Sequence, residues 1–285
     1  MVRIDLHSHS AASDGTDTPT GLVRNAAAAG LDVVALTDHD TTAGWDEAVG
    51  ALPSGLRLVR GMEMSCTGRG EDGDPVAVHL LAYLFDPTDQ VFVDELERLR
   101  GERVSRLRVM AERMAADGLP IDADHVLEQA GPAAGRPHLA RALVEAGVVS
   151  TIGDAFTELL APRGRYYIDK SDTPLAEAVK MVTAAGGVAV VAHARARSRG
   201  RLLALDQIEE LAESGLGGVE ADHPDHSDAD ARLMKDLASN LGLFVTGSSD
   251  YHGDNKSVGL GRFTTDRDAF EDLLDRAHGA EVVEG

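Results

Sequence analysis

The chain has 285 residues and a formal net charge of -21, with 27 basic against 48 acidic side chains, so most of its surface repels long nucleic-acid backbones, which argues against a duplex-binding module. Its mean hydropathy of -0.14 is ordinary for a soluble domain, and no apolar run approaches the roughly 18 residues needed to cross a bilayer. The single cysteine, Cys66, excludes an intramolecular disulfide and fits a reducing compartment.

The start, Met1-Val2-Arg3-Ile4-Asp5, carries no basic and then apolar leader and enters a strand directly, so a cytoplasmic location is expected. Residues 3–9 read as the first buried strand and end in His7-Ser8-His9, with Asp14 in the turn that follows. Residues 31–36 run into Asp38-His39-Asp40, 56–59 into Glu63, and 76–78 carry His79. Residues 187–191 lead to His193, 217–220 to Ala221-Asp222-His223-Pro224, and 243–245 through Gly247 to Asp250 and His252. Between them, helical periodicity fills 20–29, 42–49, 174–185, 203–213, 227–241 and 268–277. Strands alternating with helices imply one main domain around a parallel sheet.

One connection breaks the alternation. From about residue 88 to 170 the chain is far too long for a single crossover and reads as an inserted helical subdomain, broken at Gly118-Leu119-Pro120, Gly131-Pro132 and Ala161-Pro162-Arg163-Gly164. Its first helix places Leu96, Leu99, Val104, Leu107, Ala111 and Met114 near one face and six arginines among the rest, which read as a solvated face paired with Asp94, Glu102 and Glu112.

Metal-type ligands recur where the strands stop. Residues two apart on a strand point to the same face, so His7 and His9 can grip one ion. Of 11 histidines, His7, His9, His39, His79, His193 and His252 fall at such positions, a distribution that core packing does not explain. Asp14, Glu63 and Asp250 also follow hydrophobic strands, where an unpaired carboxylate carries a large desolvation cost that a cation removes. Mixed imidazole and carboxylate ligands suit Mn, Fe or Zn better than Ca. Asp38 and Asp40 read as orienting groups or helix caps rather than ligands. Cys66 reads as a packed bystander rather than a thiolate ligand.

His7-Ser-His-Ser with Ser13-Asp14-Gly15, Thr37-Asp-His-Asp40, Gly61-Met-Glu-Met-Ser65, Ala192-His193 and Gly247-Ser-Ser-Asp-Tyr-His-Gly253 resemble the motifs of the PHP family, the polymerase and histidinol phosphatase superfamily. The resemblance spans nearly the whole barrel. It implies an α/β fold, a distorted (β/α)7 barrel formed by residues 1–87 and 171–285, with the helical insertion 88–170 covering the site. It also implies a trinuclear cluster of divalent ions, Mn foremost with Fe or Zn as alternatives. His7, His9, Glu63 and Asp250 would hold one ion, Glu63, His79 and His193 a second, and Asp14, His39 and His252 a third. Three such ions bring +6 against -3 from Asp14, Glu63 and Asp250, a cationic island suited to phosphate in an acidic protein.

Within the family the chain is similar to stand-alone phosphoesterases that carry a helical insertion and act on nucleotide phosphates. Gly135-Arg136-Pro137-His138 is similar to their insertion motif, whose arginine reaches a substrate phosphate; read alone, Arg136 serves equally as a brace of the subdomain, and His138 as a structural residue. The resemblance implies hydrolysis of 3',5'-bisphosphates such as pAp, or of the 5' ends of short oligoribonucleotides, by a metal-activated hydroxide. His193, Arg136 and Asp250 are the expected catalytic residues, and Arg136, His138, Arg195 and His223 the expected substrate contacts. Histidinol-phosphate phosphatase and a catalytically silent metal-binding module are the alternatives.

One departure concerns the loop after His193. The family continues Ala-His with proline, whereas here the chain reads Ala192-His-Ala-Arg-Ala-Arg-Ser-Arg-Gly-Arg201. These four arginines suit a second phosphate or an RNA end, and equally a surface loop. The expected partner is a nucleotide or short oligonucleotide, with no duplex and no membrane, and the sequence assigns no oligomeric state.

Overall fold

A computed structural model describes residues 2–130, 135–161, 164–169 and 171–285. The chain divides into two compact units, Met1–Asp94 with Asp172–Gly285, and Glu95–Ser171. Among the described residues, no helix is long and apolar enough to cross a membrane.

In the first unit, β1 (Ile4–Asp5) is followed by α1 (Pro19–Ala28), β2 (Val33–Leu36) and α2 (Trp45–Gly50). Thr18 caps α1 by accepting from the Gly21 N–H, and Pro19 starts it where a missing N–H costs nothing. The apolar stripe of Pro19, Leu22, Val23 and Ala26 is then buried. β1 and β2 pair in parallel from Ile4 with Val33, and β2 pairs in parallel with β3 (Arg57–Arg69) from Val33 with Arg57.

Here the sheet departs from the parallel arrangement that the alternation predicts. β3 runs on through Glu63 to Arg69 and folds back as β4 (Pro75–Tyr83), an antiparallel hairpin in register from Gly61 with Tyr83 to Arg69 with Pro75. The turn is built by Gly70-Glu71-Asp72-Gly73-Asp74: the Gly70 N–H donates to the Asp74 carbonyl at 2.8 Å, the Asp72 carboxylate accepts from the Asp74 N–H, and Gly73 takes a φ of 83° that a side chain would resist. Glu63 and His79 therefore lie inside a long hairpin rather than at strand ends.

In the second unit, α3 (Gln90–Ala116) enters from the first and leads to α4 (Ala123–Ala130), α5 (Arg136–Glu145) and α6 (Ile152–Glu158). Leu107, Met110, Met114, Leu139, Leu143 and Leu160 share its core. Gly118, at a φ of 87°, follows the end of α3. The expected breaks at Gly131-Pro132 and Pro162-Arg163 lie outside the described residues.

The chain rejoins the first unit through β5 (Thr173–Pro174), α7 (Leu175–Ala184), β6 (Val188–Val191), α8 (Leu205–Glu213), β7 (Gly218–Asp222), α9 (Asp228–Leu241), β8 (Phe244–Gly247), α10 (Arg267–Arg276) and β9 (Val283–Glu284). The main path is β1-β2-β3-β4-β6-β7-β8, antiparallel on both sides of β4 and parallel elsewhere. Its two ends meet at a parallel bridge between Ser8 and Tyr251, where the His9 N–H donates to the Tyr251 carbonyl at 2.8 Å, so the seven strands form a nearly closed barrel. The core includes Leu6, Val33, Val59, Leu81, Val190 and Phe244. Leu81 stands opposite Glu63 in the hairpin register and is fully buried. Truncation by Leu81→Ala is expected to lower stability by about 2–5 kcal/mol, read as a shift in urea midpoint; a shift of a few tenths would show that this position is not core.

Candidate metal centre

The barrel rim after β1 presents His7 and His9 on one face, both fully buried. Asp5 fixes that rim from behind: its carboxylate accepts from the backbone N–H of Ser249 at 3.0 Å, of Gly261 at 2.8 Å and of His7 at 3.4 Å. Glu220, on β7, does the same at a second point. Its Oε1 meets His7 Nδ1 at 3.1 Å and accepts from the Ser248 hydroxyl, while its Oε2 accepts from the His193 N–H at 2.9 Å. A proton on Nδ1 of His7 shared with Glu220 turns Nε2 toward Glu63 and His9, as a donor when the ring is charged and as a lone pair when it is neutral.

Glu63 is the hub. Its Oε1 meets His79 Nδ1 at 2.7 Å and His193 Nε2 at 2.8 Å; its Oε2 lies 3.1 Å from His7 Nε2, 3.0 Å from His9 Nε2 and 3.3 Å from His39 Nδ1. Asp250 faces two ways. Its Oδ1 is 3.4 Å from Nε2 of both His7 and His9, and its Oδ2 accepts from Arg199 at 2.7 Å and Lys256 at 2.6 Å, with His223 Nε2 at 3.2 Å. Asp14 lies 3.3 Å from His252 Nε2, 3.7 Å from His9 Nδ1 and 3.8 Å from His39 Nε2. The turn that carries Asp14 depends on Gly15, where a Cβ would strike the His9 carbonyl.

Three groups of donor atoms lie within 4.8 Å of one another: His7, His9, Glu63 and Asp250; His9, Asp14, His39 and His252; and His39, Glu63 and His79. An octahedral ion with bonds of about 2.1 Å separates adjacent donors by roughly 3.0 Å, close to the spacing around Glu63 Oε2. The rings of His7 and His9 bring their Nε2 atoms within 3.0 Å of each other, which demands a shared proton or a cation. Nδ1 of His9 and of His39 is buried without a hydrogen-bond partner. The residues thus fit divalent cations.

Backbone strain concentrates here too. Among the described residues, Asp40, Leu84, His193 and Asp250 are the non-glycine positions with positive φ, and two of those are in the cluster, at 28° for His193 and 48° for Asp250. The hydrogen bond from the His193 N–H to Glu220 helps hold the first of them.

Charge is balanced within the cluster by unequal protonation. Burial alone would push the carboxyls of Asp14, Glu63 and Asp250 up, yet the surrounding imidazoles hold all three well below the usual range. Burial also opposes a charge on His9, but hydrogen bonds to Asp250 and Glu63 outweigh it and bring that ring to about 9. His7 is likewise raised against burial, by Glu63, Asp250 and Glu220. Burial wins at His39, which falls well below its ordinary value, and at His193, where burial and then Arg199 lower it to about 3.

The remaining expected residues fall as follows. His223 meets Asp250, as above. Arg195, an expected substrate contact, is buried with its guanidinium on Glu71 at 2.6 Å. Arg136 and His138 belong to the second unit: Arg136 donates to the Leu160 carbonyl at 3.1 Å and lies over the rings of Phe156 and Tyr167, and His138 Nδ1 accepts from the Gly135 N–H at 3.2 Å. Asp38 accepts from the Ser10 N–H and from the hydroxyls of Ser10 and Ser13, and Asp40 from the Ser65 N–H, so both serve the backbone and hydroxyls around the cluster. Glu220, Asp5 and Lys256 are additions that sequence reasoning missed, and of the four loop arginines Arg199 is the one that reaches Asp250. A glutamate inside the otherwise apolar Gly218-Val-Glu-Ala stretch was the one available signal.

The chain matches the PHP domain model over residues 5–130. The 3',5'-nucleoside bisphosphate phosphatase of Chromobacterium violaceum is 33% identical over 256 residues, covering 88% of each chain. The 5'-3' exoribonuclease of Haemophilus influenzae is 35% identical over 192 residues, 67% of this chain and 68% of that one. A solved Bifidobacterium adolescentis structure, provisionally described as a metal-dependent phosphoesterase, superposes with a TM-score of 0.88 at 39% identity, covering 96% of both chains. The chain belongs to the PHP family and is a metal-dependent phosphoesterase. Its family resemblance, its barrel with helices and its enzymatic class are all as the sequence motifs imply.

The raised value of His9 has a measurable consequence in the metal-free protein. A ring held at about 9 in the folded state and 6.5 otherwise contributes stability that is complete below pH 6.5 and is lost as pH rises through 9. NMR titration in chelator is expected to place the His9 transition near 9, and Asp250→Asn to move it toward 6.5. A transition at or below 6.5 in the unaltered protein would contradict the contacts described.

Proposed function

We propose that the chain hydrolyses phosphate esters of nucleotides, releasing phosphate from a 3',5'-bisphosphate such as pAp or acting at the 5' ends of short oligoribonucleotides. Three divalent ions would be held by His7, His9, Asp14, His39, Glu63, His79, His193, Asp250 and His252, manganese foremost and iron or zinc as alternatives. The observation that carries this reading is Glu63, whose two oxygens are shared among the imidazoles of His7, His9, His39, His79 and His193. Similarity to a bisphosphate phosphatase and to an exoribonuclease supports nucleotides as the substrate class.

The chemistry that bound ions supply is Lewis acidity, lowering the pKa of water from about 15.7 toward neutrality and offsetting charge on phosphoryl oxygens. The chain's own groups orient that chemistry. Glu220 fixes the His7 ring and the His193 backbone; Asp38 ties Ser10 to Ser13 and so shapes the turn that ends in Asp14. His193, at about 3, is neutral at working pH, which suits a ligand and disfavours a general acid for the leaving group. Asp250 joins the ligand group through Oδ1 while its Oδ2 faces Lys256 and His223 at a cavity of about 360 Å³, a volume in the range of small-molecule sites. His223 is the substrate contact proposed at that cavity. Arg136, which donates to the Leu160 carbonyl and lies over two aromatic rings within the helical unit, is the phosphate contact proposed from the family resemblance, with His138 fixing its helix start.

Phosphate release from pAp, AMP and histidinol phosphate with added manganese tests the reading. Turnover of pAp well above the other two is expected, and release from none of them would favour a silent metal-binding module. Asp14→Ala and His193→Ala are each expected to cut turnover by at least about a hundredfold with the circular dichroism unchanged; full activity in either would remove that residue from the ligand set. Arg136→Ala is expected to raise KM about tenfold while metal content is retained, and unchanged kinetics would exclude it from the site.

A further inference from the structure

The four arginines that follow His193 separate by what they touch. Arg195 is bound to Glu71, Arg197 forks onto Asp230 with its closest contact at 2.6 Å, and Arg201 forks onto Asp72 at 2.6 and 2.7 Å. Those carboxylates belong to none of the candidate ligand groups. Arg199 is different: it donates to Asp225 at 2.8 Å and to Asp250 Oδ2 at 2.7 Å, and its Nη1 stands 3.0 Å from His193 Nε2. Lys256 reaches the same Asp250 oxygen at 2.6 Å.

Lys256 is presented by a fixed turn. Gly253 has a φ of 63° and a Cβ there would strike the Thr16 hydroxyl; Asp254 N–H donates to that hydroxyl at 2.8 Å, and Asn255 Nδ2 donates to the Asp14 carbonyl at 2.8 Å. One carboxylate oxygen therefore receives two cationic side chains from two separate loops, with His223 as a third neighbour. Both side chains remain 34% exposed, and Lys256 lines the cavity of about 360 Å³ together with His223, Asp225, Ser249 and Asn255.

Two donors now compete with the ligand roles of their acceptors. A cation on Asp250 Oδ1 draws off the negative charge that Oδ2 offers, and a cation on His193 Nε2 takes the lone pair that Arg199 faces. Lys256, and Arg199 on the side not held by Asp225, are then left beside the centre with weakened acceptors, and a phosphoryl oxygen is an acceptor that matches both, the guanidinium as a directional donor and the ammonium as a point charge. We propose that Arg199 and Lys256 are substrate-contacting residues that clamp phosphoryl oxygens at the Oδ2 side of Asp250. This rests on the reading that the chain hydrolyses phosphate esters.

Calorimetric titration of inorganic phosphate into the full-length, manganese-loaded protein tests the clamp without turnover. Arg199→Gln and Lys256→Gln are each expected to weaken phosphate binding about tenfold and the pair together about a hundredfold, with manganese content unchanged. Should a glutamine variant lose its fold, Arg199→Lys, which keeps the charge but not the fork, is read instead and is expected to weaken binding severalfold. Unchanged affinity in the folded variants, or no phosphate binding by the unaltered protein in the millimolar range, would overturn the proposal. Phosphate release from pAp by the unaltered protein reports separately on the substrate reading. Release combined with unaffected phosphate affinity in the variants sinks the clamp alone, whereas no release combined with lost affinity sinks pAp as the substrate and leaves the clamp standing.

Discussion

A carboxylate as deeply buried as Glu63 keeps its charge only if enough positive charge surrounds it, because desolvation of an isolated ion costs several kcal/mol. The rest of the first unit can be understood as meeting that requirement. Imidazoles arrive from the β1 rim, the loop after β2, the β4 strand and the loop after β6, each from a different segment of the barrel. In the absence of ions the balance is struck by keeping protons on His7 and His9, with His39 and His193 neutral. Protons are a poor substitute for ions, since His9 Nδ1 and His39 Nδ1 make no well-formed hydrogen bond and two ring nitrogens face each other. A centre so arranged would give up protons on binding cations.

The outer groups are as informative as the donors. Asp5 and Glu220 carry no contact with the cavity that the substrate is proposed to use, yet they tie together β1, β7 and the segments following β6 and β8 beneath the cluster. Asp5 shows the cost: burial raises its carboxyl even with hydrogen bonds from Ser249, Gly261 and His7 pulling the other way. The left-handed backbone at His193 and Asp250 is a further expense, of order 1–3 kcal/mol for each such residue, tolerated because those bends aim the side chains inward.

Much of the site was legible because the barrel assembles it from segment ends. Hydrophobic runs that stop at His7-Ser-His9, at Asp38-His39 or before Asp250 leave a ligand-type side chain at one rim whatever the details of pairing. The hairpin was not legible in the same way. Residues 61–69 and 75–83 alternate as a strand pair around Gly70-Glu-Asp-Gly-Asp, but a short apolar run followed by a glutamate reads equally as a strand that ends there, so the sheet is mixed where alternation implied a parallel one. Which arginine of the 195–201 loop turns toward the centre depended on where Glu71, Asp72 and Asp230 lie in space, and no spacing rule carries that information. Glu220 was passed over for His223 because a carboxylate pointing into a barrel is recognised only when its partners, His7 and the His193 N–H, are known.

The central claim is that one buried carboxylate and its ring of imidazoles form a cation site. Anomalous diffraction from manganese-soaked crystals, recorded above and below the manganese edge, tests it most directly. Strong edge-dependent peaks among His7, His9, Glu63 and Asp250 are predicted, with further peaks toward His79 and toward Asp14. A difference map with no manganese peak in contact with Glu63 would contradict it.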